Sequence, residues 1–356
     1  MTVRARQLTK RARGAEPSGA QSTSVPANTI RAFVDALQRL GYPTESLLAN
    51  AGVRQSDLAD PDARICCAVL PEIFGAAMRQ RPIKNLAARL AAETPIGAFP
   101  LVDYLAVTSE TAGAALKQLA RYLRLNDAPY ALDPKWDEAP IRVLFDRPLN
   151  AFSVEFGVVL TVLHLRKEVD GPFNVLSVNF SHAPDDAAEI SRLLGCPIYA
   201  NSSWNGFQLT REAWEMPMRR RDHVLRAVLE QHAGDIAAKI PETQALARDV
   251  SRVLASRMAE GDVQLETVAR ALATSTRSLQ RRLAEAGISY QQMLDNTRRD
   301  AAAEYLSDPR LSIGEVAYLL GYSEPAAFHR AFKRWNGITP QSFRNRHKEK
   351  SHSLVR

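Results

Sequence analysis

The strongest constraint on this chain of 356 residues is a helical pattern that occurs twice near its end. Leu265, Val268, Ala269 and Leu272 form an apolar stripe at helical spacing, enough to bury one side of a short helix. Ala273-Thr274-Ser275 breaks the pattern, and Ser275 suits the start of a new helix, where its hydroxyl can accept from an otherwise unpaired N–H. Leu279 and Leu283 then bury that helix, and Gly287 closes it. The small Ala269 lets the two axes cross closely and steeply. About 49 residues on, the arrangement returns. Ile313, Val316, Ala317 and Leu320 are the stripe, Gly321-Tyr322-Ser323 the turn, and Phe328 and Phe332 the buried side of the next helix. Glu324-Pro325 suits a helix start, because the N–H that proline lacks would be unpaired there. Two helix-turn-helix units are predicted, over 265–286 and 313–336, with one helix over Tyr290–Ser307 between them.

Each unit leaves a row of residues outward on its second helix. In the first the row is Arg277, Ser278, Gln280 and Arg281, with the arginines one turn apart. In the second it is Ala326, Ala327, His329, Arg330 and Lys333, with Arg330 corresponding to Arg281. A B-form major groove admits one helix, and arginine or glutamine can form paired hydrogen bonds with guanine or adenine edges. The spacer's 18 residues span about 27 Å, near the ~34 Å of one duplex turn. One such hairpin is common in helical bundles. Two with matched arginines point to double-stranded DNA.

Charge sharpens this reading. Residues 1–20 carry five basic and one acidic side chain, residues 21–240 carry 23 and 25, and residues 241–356 carry 18 and 13. The net charge of +7 therefore sits at the two ends, around a nearly neutral middle. A basic C-terminal third is the electrostatic footprint expected of a nucleic-acid partner. No apolar run approaches the ~20 residues of a membrane span, and no apolar segment follows the N-terminal arginines as a secretory signal would need. Cys66, Cys67 and Cys196 are too few for a disulfide framework or a zinc site and read as reduced thiols, which suggests a cytoplasmic protein.

Residues 1–26, rich in Arg, Ala, Ser, Gly and Pro, are expected to be a disordered basic tail. Residues 27–240 read as an α+β domain. Ile30, Phe33, Val34, Leu37 and Leu40 follow helical spacing, with Asn28 or Thr29 as cap and Gly41 as stop. Further helices are predicted over 66–80, 83–93, 99–108, 111–125, 151–168, 185–194 and 221–239. Strands are predicted only in the second half of this region, at Ile141–Phe145, Val175–Phe180, Ile198–Tyr199 and Gly206–Leu209. After Ile240-Pro241 the strand pattern stops. The fold class is thus mainly α with a smaller α+β part.

Ser275-Thr-Arg-Ser-Leu-Gln-Arg-Arg-Leu, the long run Ile313 to Trp335, Gly337-Ile-Thr-Pro340 and Phe343-Arg344 together resemble the AraC/XylS family of bacterial transcription regulators. The resemblance covers about 245–346 and implies a seven-helix DNA-binding domain with two recognition helices. It places base contacts at Arg277, Gln280 and Arg281, and at Pro325, Ala326 and Arg330. Arg344, beside a basic tail at 347–356, is expected to touch phosphate. The first two positions of the second recognition helix are apolar, where many relatives are polar, so phosphate or thymine-methyl contact is as fitting there as base reading. Leu40-Gly41 with Leu47-Leu48, Leu58 to Ile65, Leu119 to Arg124, His182-Ala-Pro184 and Leu193 to Ile198 resemble the arabinose-binding-type sensor of the ornithine-regulator subgroup. That implies a small-molecule effector of unknown identity, self-association into a homodimer and, at promoter DNA, contact with RNA polymerase, usually as an activator.

Other residues read as structural. His182 is expected in a turn bonded to backbone, His164 as a hydrogen-bonded core histidine, and Trp204, Phe207 and Trp214 as packing. Asp185-Asp186 is expected to cap a helix and Cys196 to behave as a small buried hydrophobe. Nucleophile elbows, phosphate-binding glycine loops, dinucleotide fingerprints and His-Glu-x-x-His are missing, so no enzyme, metal or cofactor is expected. The rival readings are a sequence-independent architectural DNA protein and an enzyme fused to a regulator.

Overall fold

In the segment from Ile141 to Asp146, Ile141, Val143 and Phe145 are buried and the residues between them are not. That alternation is what a strand with one face on a core requires. The computed structural model describes residues 24–60, 63–66, 69–126, 130–146, 150–239, 242–258, 261–307 and 311–345. Of the tails expected at 1–26 and 347–356, residues 1–23 and 347–356 lie outside these. The chain runs β1 (Ser24–Pro26), α1 (Ala27–Arg39), α2 (Thr44–Asn50), α3 (Gln55–Ala59), β2 (Arg64–Cys66), α4 (Val69–Gln80), α5 (Leu86–Glu93), α6 (Pro100–Val107) and α7 (Ala112–Tyr122). It continues with β3 (Ala131–Lys135), β4 (Ile141–Asp146), α8 (Ala151–Glu168), β5 (Val175–Asn179), α9 (Ala187–Leu194), β6 (Ile198–Tyr199), β7 (Gly206–Leu209), α10 (Arg211–Glu215) and α11 (His223–Lys239). Only helices follow: α12 (Glu242–Met258), α13 (Leu265–Ala271), α14 (Thr276–Glu285), α15 (Tyr290–Ser307), α16 (Ile313–Leu319), α17 (Pro325–Asn336) and a last helical stretch over 340–345.

Five strands form one sheet in the order β3-β4-β7-β5-β6, antiparallel except for β5 beside β6. Ile141 pairs with Leu209 and Val143 with Phe207, which puts all four side chains in the core. Helix α8 is apolar nearly all round and is buried between this sheet and α5. Asn150 and Ser153 close its start as a capping box. Gly157 has no side chain for a reason: the Tyr130 ring lies 2.5 Å from where its Cβ would be.

Three expectations need correction. Residues 24–26 are not part of a tail, because β1 pairs antiparallel with β2 across Val25 and Ile65. Strands therefore also occur in the first half. Helix α1 starts directly from β1 at Ala27, with neither Asn28 nor Thr29 as its cap. Strand β3 was not legible, because Asp133, Pro134 and Lys135 hide its alternation.

One apolar cluster joins α1 through α10 and the sheet, and a second joins α12 through α17. A small third cluster of Val102, Leu105, Tyr122 and Ala233 seats α11 on α6 and α7. The fold is mainly α with one mixed α+β part. Among the described residues no helix is long and apolar enough to cross a membrane.

Candidate nucleic-acid interface

Both predicted units are built as hairpins whose first helix ends in the same motif. At α13, the N–H of Ala273 bonds the Arg270 carbonyl at 3.0 Å and that of Thr274 the Ala269 carbonyl at 2.9 Å. At α16, Gly321 bonds Tyr318 at 2.9 Å and Tyr322 bonds Ala317 at 3.0 Å. Each pair leaves one residue left-handed, Ala273 at φ 51° and Gly321 at φ 70°. The small Ala269 and Ala317 are buried at the crossings.

Helix α14 starts as predicted. The Ser275 hydroxyl accepts from the Ser278 N–H at 3.2 Å and donates to the Ser278 hydroxyl at 3.0 Å. Leu279 and Leu283 are buried, while Arg277, Gln280 and Arg281 are exposed. Arg281 keeps 71% of its side chain exposed beside Glu285, 3.8 Å away. Arg277 and Gln280 make no side-chain bond to another described residue. Ser278 is tied into the cap and is only partly exposed. In α17, Phe328 and Phe332 are buried against each other, their rings 5.6 Å apart. Ala326, Arg330 and Lys333 are exposed, and Pro325 and His329 are half-buried. The side chains of Arg330 and Lys333 have no bonding partner among the described residues.

Arg344 is not on this surface. It is 9% exposed, and its Nε donates to the Leu306 carbonyl at 3.2 Å. It closes the end of α15 from inside, which leaves little of the guanidinium for the phosphate contact expected of it. One contributor had no visible trace in the sequence. Arg298, on α15, donates to the carbonyls of Leu320 and Gly321 at 3.0 and 3.1 Å and lies over the Tyr322 ring at 4.4 Å. It clamps the second turn from 22 residues away, a distance that periodicity does not register. Burial pushes the Tyr322 hydroxyl above its ordinary value.

Phe207 and Trp214 are core residues, Cys196 is buried with its thiol pushed up by burial, and Asp186 caps α9. His164 bonds the Thr94 carbonyl at 3.0 Å but only half-buried. His182 meets the Glu155 carboxylate at 2.7 Å rather than backbone. Among the described residues no group of three His, Cys, Asp or Glu is placed to hold a metal ion.

Comparison with known proteins adds an independent line. The family described as the arabinose-binding domain of AraC transcription regulators, N-terminal, matches residues 41–218, and a helix-turn-helix domain family matches 268–346. The chain is similar to the ornithine utilization regulator of Pseudomonas aeruginosa, 28% identical over 336 residues that cover 92% of this chain and 98% of that one. It is similar also to the HTH-type transcriptional regulator VirS of Mycobacterium tuberculosis, 24% identical over 329 residues covering 90% and 96%. The similarity to the regulator VqsM of Pseudomonas aeruginosa is 38% over 81 residues, 23% of this chain and 25% of that one.

Proposed function

This chain belongs to the AraC family of transcription regulators, and on that premise we propose that α14 reads base edges at a promoter while α17 mainly anchors to the duplex. The observation that carries this is the exposed row Arg277, Gln280 and Arg281 on a helix whose opposite side is buried. Arginine and glutamine have the paired donors and acceptors that base edges require. Helix α17 offers Ala326 beside half-buried Pro325 at its start, with positive charge further along at Arg330, Lys333 and Arg334, the last paired with Asp295 at 3.1 Å. Apolar contact and phosphate attraction suit that surface better than base reading.

The N-terminal domain senses a small-molecule effector and responds by changing how the helix-turn-helix units meet DNA, in the cytoplasm and in contact with RNA polymerase as an activator. It also joins two copies. Val224, Leu225 and Val228 on α11 are 62, 45 and 61% exposed, unusual for large apolar side chains on one helix. An antiparallel pair of α11 helices centred on Val228 would bury all three against their copies, a self-complementary arrangement. Sedimentation checks it: Val228→Glu is expected to shift the protein from dimer to monomer, and an unchanged dimer places the interface elsewhere.

Binding sites mapped genome-wide supply the duplex for the main test. Arg281→Ala is expected to cost about 1–3 kcal/mol at such a site and to relax preference at one base position. Arg330→Ala is expected to weaken all duplexes to a similar degree. An architectural protein would lose affinity without losing preference in both cases.

A further inference from the structure

The N-terminal domain has a cleft between the C-terminal ends of α5 and α8, walled on one side by Arg39 and Glu93 and on the other by His164 and Lys167. Ile96 and Leu163 add apolar surface to its lining. Charges of both signs line it. Arg39 donates through Nε to the Glu93 carbonyl at 2.7 Å, but its distance to the Glu93 carboxylate is 3.9 Å, with both side chains 40% exposed. The Glu93 carboxylate is thus only loosely engaged. Lys167 has no ion-pair partner among the described residues. His164 is oriented by the Thr94 carbonyl, which anchors the ring at one edge of the cleft.

Both walls lead to α11. On one side, Thr94 begins a turn that folds over Asp103: the N–H groups of Gly97 and Phe99 donate to its buried carboxylate at 2.8 and 3.1 Å. Asp103 belongs to α6, and Val102 and Leu105 of that helix pack on Ala233 of α11. On the other side, Glu168 directly follows Lys167. Its carboxylate holds Arg220 at 2.6 Å, and its carbonyl accepts from the Arg219 N–H at 2.7 Å, just before α11 begins. A molecule that draws α8 and the 94–99 turn together therefore acts on the helix that leads to α12 at two points, just before its start and at Ala233.

We propose that this cleft is the effector site and that it takes an aliphatic α-amino acid. Its carboxylate meets Lys167, its ammonium meets Glu93, and its side chain lies on Ile96 and Leu163. An anion alone would meet the carbonyl-bearing ends of α1 and α5, which favour positive charge, and a cation alone would leave Lys167 unanswered. The assignment rests on the effector-responsive reading above, and its test separates the two.

Calorimetric titration of the full chain with leucine is expected to show saturable binding. The analogues with one charge, 4-methylpentanoate and 3-methylbutylamine, are expected to bind about tenfold more weakly or worse, as loss of a charge-assisted bond implies. Lys167→Met and Glu93→Gln, both on exposed side chains, are expected to weaken leucine by a similar factor. Absence of leucine binding, equal binding of either analogue, or unchanged affinity in both variants overturns the proposal. Affinity for mapped promoter DNA is then measured with and without saturating leucine. If leucine binds in the expected pattern and DNA affinity stays constant, the cleft stands and the effector-responsive reading falls. If leucine does not bind while another metabolite shifts DNA affinity, the cleft falls and that reading stands.

Discussion

In the first helix-turn-helix, the residue that turns left-handed after α13 is Ala273, whereas in the second it is Gly321. The first unit starts α13 without a side-chain cap, at Gln264. The second starts α16 with a full capping box of Ser312 and Glu315. The bond from Ser312 holds the Glu315 carboxyl below its ordinary value. Aliphatic Leu279 and Leu283 bury α14, while an aromatic chain of Tyr322, Phe328, Phe332 and Phe343 buries α17. Arg298 then clamps the second turn, and the first has no equivalent among the bonds of the described residues. The exposed Arg277, Gln280 and Arg281 are thus on the unit with fewer anchors. The better-anchored unit presents fewer such side chains at the start of its outer helix. The division fits a protein in which one hairpin fixes the position of the domain on DNA and the other discriminates sequence.

The largest expected effect tests that difference in anchoring. Phe328 is fully buried against Tyr322 and Phe332, so Phe328→Ala is expected to cost about 3–5 kcal/mol through lost contact and the cavity left behind. Leu279→Ala, equally buried, is expected to cost nearer the low end of the ~2–5 kcal/mol range for such truncations, because its aliphatic surroundings can collapse. Denaturant unfolding of both variants checks the order, and a larger loss at Leu279 breaks the comparison. Gly321→Ala comes next. The space beside Gly321 is adequate, the nearest atom to a new Cβ being the Met258 carbonyl oxygen at 3.5 Å. The left-handed backbone remains and disfavours a side chain by about 1–2 kcal/mol, of which the stiffer unfolded chain returns about 0.4–1 kcal/mol, so a net loss of up to about 1.5 kcal/mol is expected. A neutral result would mean that the Arg298 clamp tolerates a shifted turn.

How far the sequence reveals this structure depends on the range over which each feature is determined. The spacer predicted over Tyr290–Ser307 is α15 to the residue, and Ile198–Tyr199 and Gly206–Leu209 are β6 and β7, because caps, breakers and period are local signals. Short strands whose pairing is set by distant segments escape such reasoning: Ser24–Pro26 lies in a stretch that reads as tail until Arg64–Cys66 pairs with it. At the candidate interface the outward row of α14 follows from the position of Leu279 and Leu283. Arg344 did not follow, since a basic residue near a basic tail reads as surface. Its inward turn depends on Leu306, 38 residues earlier, offering a free carbonyl. His182 was misassigned for the same reason, as its partner Glu155 is 27 residues away on α8.

The smallest effect sharpens the comparison most, because it asks whether the first turn is less well fitted than the second. Ala273 at φ 51° occupies a region that a side chain disfavours by about 1–2 kcal/mol. Ala273→Gly removes that cost. It also gives the unfolded chain more freedom, which takes back about 0.4–1 kcal/mol. The net expectation is stabilisation of a few tenths up to about 1 kcal/mol, opposite in sign to Gly321→Ala at the equivalent position. Thermal unfolding of the two single variants and of the swapped double variant checks this. Destabilisation by Ala273→Gly would mean that the Ala273 methyl is packed to advantage against α14. Anchoring would then be shared more evenly between the two hairpins than their caps and clamps indicate.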